Sequence, residues 1–150
     1  GIMDALSEAN VPVSNVRQID YYTVFGSPVP STSSYKSYEE LFFPVDYTAV
    51  IGFNDLQSYS AMEILKERGY RIPEDISLIS FDHLRKTHTY LPPLTSIADN
   101  TDKSIADTAV SILLDKIKNS DSKFTGAVLP VTIYDGHTTG PVNKAFETSF

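Results

Sequence analysis

Two polar residues in the middle of the chain, Asn54 and Asp82, each stand where a run of β-branched and aromatic residues stops. A carboxylate accepts from two vicinal hydroxyls at once, and a carboxamide both donates and accepts. The pair therefore suits a small molecule that carries several hydroxyl groups. A plainer reading of the same residues has Asn54 capping a helix and Asp82 closing a turn. The choice depends on what brings the two together.

Tyr47 to Phe53 has no helical period and suits a buried strand. Asn54 and Asp55 break the run and can cap a helix. Leu56, Tyr59, Met62, Ile64 and Leu65 then recur at helical spacing, which puts most of them on one face. Gly69 stands where a helix end favours positive φ, and Pro73 prevents resumption. Ile76 to Phe81 is a second strand, which stops at Asp82. Strand, helix and strand make a βαβ unit with parallel strands and a right-handed crossover. Asn54 and Asp82 then share the carboxyl edge of one sheet, on the order of 5 to 10 Å apart. Open α/β sheets bind ligands along that edge.

Around this unit, Ile2 to Ala9 reads as the tail of a helix and Val13 to Ile19 as a strand. A Ser- and Pro-rich loop follows from Gly26, and Ser37-Tyr38-Glu39-Glu40 fits a capping box. The alternation of strand and helix from Val13 to Phe81 implies an α/β fold, a parallel sheet with helices on both faces. Pro92 and Pro93 force extended geometry, a helix covers about Thr101 to Lys118, and Val128 to Tyr134 is a last strand.

The order Asn54-Asp55, Ala61, Leu65, Gly69, Pro73 to Ser77, then Ser80-Phe81-Asp82 resembles the effector-binding domain of LacI/GalR (lactose-repressor) transcription regulators. Pro92-Pro93-Leu94-Thr95-Ser96-Ile97 is similar to a proline-proline-leucine-threonine-threonine segment of that family. The resemblance implies a type I fold like that of periplasmic binding proteins. Residues 1–98 would form the second lobe, incomplete at its amino end. Residues 99–130 would cross the hinge and pack in the first lobe, and 131–150 would be the closing strand and tail. It also implies that Asp82 and Asn54 hold a small-molecule effector, a sugar by preference, with Tyr21 or Tyr22 against the sugar face. Asp99 or Asn100 would take the rim position where a glutamine is frequent, while Gly136 replaces a usual arginine. A cytoplasmic homodimer is implied, touching operator DNA through a helix-turn-helix outside this segment. The rival reading is the solute-binding protein of a sugar transporter. The Pro73 to Ser77 and Pro92 to Thr95 segments look more like the regulators.

Composition bounds the rest. The chain has 150 residues, 41% of them hydrophobic, which is enough for a core. A net charge of −7 with 12 scattered basic residues argues against nucleic-acid binding by this segment. No apolar run reaches the length of a membrane span, so no membrane partner is expected. With no cysteine there are no disulfides or thiolate metal sites. The motifs of nucleotide-binding loops, serine hydrolases and zinc proteases are absent, so no enzyme, metal or cofactor is expected. His83, His88 and His137 have no metal-ligand spacing and read as surface or loop residues.

Overall fold

The computed structural model describes residues 1–19, 41–84, 92–99, 104–119 and 126–143. Tyr21, Tyr22, His88 and Asn100 lie outside these residues. The chain divides into two units, Gly1–Phe43 and Pro44–Phe150.

In the first unit, α1 spans Ile2–Glu8. The strand expected over Val13 to Ile19 is not formed; Val13–Asn15 is instead a 3-10 turn entered from Pro12. The Asn15 amide donates to the Pro12 carbonyl at 2.9 Å and that of Val16 to Val13 at 3.0 Å. Ser14 and Asn15 are residues whose short polar side chains favour turns over ladders, and that preference outweighs the weak alternation around them.

The second unit is built on a four-stranded sheet with its strands side by side in chain order. The elements are β1 (Ala49–Ile51), α2 (Asp55–Glu67), β2 (Ser77–Phe81), β3 (Thr95–Asp99), α3 (Ile105–Lys118) and β4 (Val131–Tyr134). Strands β1, β2 and β3 are parallel, with Ala49 beside Ser77 and Ile79 beside Thr95. Strand β4 closes the sheet antiparallel, with Ser96 beside Tyr134. The sheet is therefore mixed, a parallel body with one antiparallel strand. Strand β3 lies in the stretch after Pro92-Pro93 that sequence alone marks only as extended.

Helix α2 starts at Asn54, whose extended backbone and Oδ1, accepting from the Gln57 amide at 2.9 Å, form the cap. It ends in a Schellman motif: the Gly69 amide donates to the Lys66 carbonyl and that of Tyr70 to Leu65, with Gly69 at φ 89°. Its inward face carries Tyr59, Ala61, Met62, Ile64 and Leu65, whereas Leu56 turns outward. That face packs on β2, where Leu78 is fully buried, as is Ile76 just before the strand. The hydroxyls of Ser58 and Ser80 meet at 2.9 Å inside this contact. Gly52 allows it, since a Cβ there would lie 1.8 Å from Ser58 Oγ.

The segment after β4 laces onto the opposite end of the sheet. Buried Thr138 accepts from the Leu78 amide through its carbonyl at 2.7 Å. Its hydroxyl donates to the Leu78 carbonyl at 2.7 Å and accepts from the Thr95 amide at 2.8 Å. Helix α3 is capped by Ser104, which accepts from the Asp107 amide, and buries none of its residues.

Candidate functional site

Asn54 and Asp82 follow adjacent parallel strands, as the βαβ reading requires. The ladder continues to the start of the site, where the Gly52 amide donates to the Ile79 carbonyl at 2.8 Å. Asn54 is half-buried, and its Oδ1 is the helix cap; among the described residues its amide nitrogen has no acceptor. The plainer reading of Asn54 is thus true of its oxygen, and its NH2 group is left over. Asp82 is exposed, and no described residue donates to its carboxylate. Asp99, at the carboxyl end of β3, stands on the same edge as these two. One of its oxygens accepts from the Ile105 amide at 2.7 Å, which ties it to the start of α3.

Behind this edge lies a network that the sequence does not announce. Asp82 and His83 both have positive φ, 93° and 46°. Asp and His tolerate that region better than most side chains, and the surroundings hold the two there in succession. The Asp82 amide donates to the Ile97 carbonyl at 2.9 Å, and the His83 amide donates to Ser96 Oγ at 3.0 Å. The next amide, that of Leu84, donates to Asp55 Oδ2 at 2.6 Å. Asp55 is 1% exposed and also accepts from the Ser96 hydroxyl through Oδ1 at 2.7 Å.

The His83 ring, read from sequence as a surface or loop group, stacks on Tyr134 of β4 at 3.7 Å between centroids and 7° between planes. A cavity of about 270 Å³ opens beside the pair, lined by Asp55, Tyr59, His83, Leu94, Tyr134 and Asp135 among others. Asp55 and His83, the next neighbours of Asn54 and Asp82 in sequence, line this cavity, and Asn54 and Asp82 themselves do not. Tyr59 accepts from the Leu94 amide through its hydroxyl at 3.2 Å. Asp135 accepts from the His137 amide at 3.0 Å. Among the described residues no cluster of His, Cys, Asp or Glu could hold a metal ion.

The sequence from residue 4 to 139 matches the periplasmic binding protein-like domain. The chain belongs to that family. Within this periplasmic binding protein-like family its relatives are LacI-type regulators, and the chain is an effector-binding domain of the LacI/GalR kind. It is 37% identical over 120 residues to the repressor PurR of Aliivibrio salmonicida, covering 79% of this chain and 34% of that protein. A LacI family regulator from Enterococcus faecium, solved with bound ribose, is 25% identical with a TM-score of 0.67. That match covers 94% of this chain and 50% of the solved one. The lac repressor dimer bound to operator and the anti-inducer ONPF is 29% identical with a TM-score of 0.59, over 71% of this chain and 37% of that one. The chain thus spans about a third of the curated repressor and half or less of these solved regulators.

At Gly136, a Cβ would lie 2.1 Å from the Leu94 carbonyl carbon. This backbone path has no room for any side chain, let alone a guanidinium.

Proposed function

We propose that this domain senses a small molecule, a sugar by preference, for a LacI-type transcription regulator. The observation that carries the reading is the carboxyl edge of the parallel strands, where Asn54, Asp82 and Asp99 line up and the Asp82 carboxylate has no partner among the described residues. A carboxylate left open to solvent beside a carboxamide donor fits vicinal hydroxyls. Tyr21 or Tyr22 would supply an aromatic face and Asn100 a further polar group. The repressor relatives favour this reading over a transporter's solute-binding protein.

In this reading the ligand favours a closed arrangement of two lobes by its difference in affinity for closed and open forms. The bias passes to DNA-binding domains outside this segment in a homodimer, so effector and operator affinities are reciprocally coupled. The lobe into which α3 packs is supplied by further sequence, consistent with an apolar stripe that nothing described here buries.

The test is a thermal-shift panel of pentoses, hexoses and nucleobases on the full-length protein, led by D-ribose and repeated with Asp82→Ala. A ligand held by Asp82 is expected to lose at least about tenfold in affinity, roughly 1.4 kcal/mol. A hit whose affinity is unchanged by Asp82→Ala removes the site assignment.

A further inference from the structure

We infer that Asp55 and Ser96 are positioning residues: they hold the Asp82–His83 turn in the backbone shape that presents the Asp82 carboxylate at the sheet edge. This rests on the reading of Asp82 as a ligand contact and adds what sets its orientation.

Local sequence does not explain the turn. Asp and His take positive φ more readily than most side chains, but here two such residues do so in succession. No glycine relieves either position. Strain of this kind persists only where the surroundings over-determine it. Those surroundings are three main-chain amides in succession, each with a partner from another part of the fold: Asp82 on Ile97, His83 on Ser96, Leu84 on Asp55.

The polarity of the network runs one way. The Ser96 hydroxyl donates to Asp55 Oδ1. The serine lone pairs are then left to receive the His83 amide. Asp55 thereby orders the turn twice, directly through Leu84 and indirectly through Ser96. Its own place is fixed, because it is the first residue of α2 and next to the Asn54 cap. One buried carboxylate thus ties together the chain ends that follow β1 and β2, the two ends that carry Asn54 and Asp82. The His83–Tyr134 stack adds an anchor from β4.

The test uses full-length protein with Ser96→Ala and Asp55→Asn, read first by amide hydrogen exchange. Both variants are expected to speed exchange at His83 and Leu84 at least tenfold, while the Leu78 amide, bonded to Thr138 at the far end of the sheet, keeps its protection. The second readout is D-ribose affinity by calorimetry, expected to fall at least tenfold in each variant. Ser96→Thr, which keeps the hydroxyl, is expected to retain both the protection of the turn amides and the D-ribose affinity that Ser96→Ala loses. A role in fold stability alone would lower the protection of Leu78 together with that of the turn. Wild-type protection of the turn amides in both variants overturns the inference. So does a loosened turn with unchanged D-ribose affinity. If unsubstituted protein does not bind D-ribose, that choice of sugar fails, and the turn amides still decide whether Asp55 and Ser96 hold the loop. Should Asp55→Asn not fold, Ser96→Ala carries both readouts.

Discussion

Over 13 residues α2 buries Tyr59, Ala61, Met62, Ile64 and Leu65, whereas the 14 residues of α3 bury nothing, and Ile105, Leu113 and Ile117 are 62%, 59% and 70% exposed. Both helices have an apolar stripe, and both start at a side-chain cap. The difference is what each stripe meets. Helix α2 lies on β2 and closes over a serine pair, while α3 is held by polar devices near its ends: Asp99 and Ser104 at its start, Lys116 and Lys118 in its last turn. Helices of this length are marginal on local interactions alone. Apolar periodicity states that a helix has a face to cover, and says nothing of the partner.

The largest effect that sharpens this contrast is a pair of truncations. Leu65→Ala removes a fully buried side chain and is expected to cost about 2–5 kcal/mol in urea unfolding of this chain. Leu113→Ala, on the open stripe, is expected to stay within about 0.5 kcal/mol. A cost of 2 kcal/mol or more for Leu113→Ala in full-length protein would show that further sequence covers α3; equal costs for both residues in this chain would break the comparison.

Caps give a smaller contrast. Asn54→Ala and Ser104→Ala each remove one cap, worth about 1 kcal/mol to the helix. The first is expected to lower the global unfolding midpoint, because α2 is part of the core. The second is expected to speed hydrogen exchange within α3 and leave the midpoint in place.

The smallest effect follows α2's end. Arg71 donates to Asp75 through Nε and a terminal nitrogen at 2.9 and 2.7 Å, and these hydrogen bonds hold the carboxyl down to about 2. A carboxyl lowered in the folded state stabilises above its ordinary value of 3.8, and that contribution is lost as pH falls toward 2. The Arg71 side chain is 67% exposed, so screening keeps the effect small. Asp75→Asn is expected to flatten the melting temperature between pH 4 and 2; an unchanged slope would remove Asp75 as its source.

The βαβ unit was legible because local signals agreed: strand run, Asn54 cap, helical period, Gly69 end, second run. Asn54 and Asp82 followed, since their place depends only on that topology. Val13 to Ile19 misled because alternation over a few residues competes poorly with turn-forming Ser14 and Asn15. Strand β3 was hidden behind Pro92-Pro93, whose local restriction marks extended chain without saying that it pairs. Asp55, Ser96, His83 and Tyr134 form contacts across 13 to 51 residues of sequence, as 83 to 96 and 83 to 134 show. Nothing near any one of them signals its partner.

Thr138 has a consequence for the order of events during synthesis. It completes the hydrogen bonding of Leu78, 60 residues earlier, and of Thr95, 43 residues earlier. Until the ribosome has released that threonine, two buried amides and a carbonyl in the centre of the sheet lack their partners. The parallel body therefore completes its hydrogen bonding late, and a nascent chain halted before Thr138 leaves these groups without the partners that Thr138 supplies.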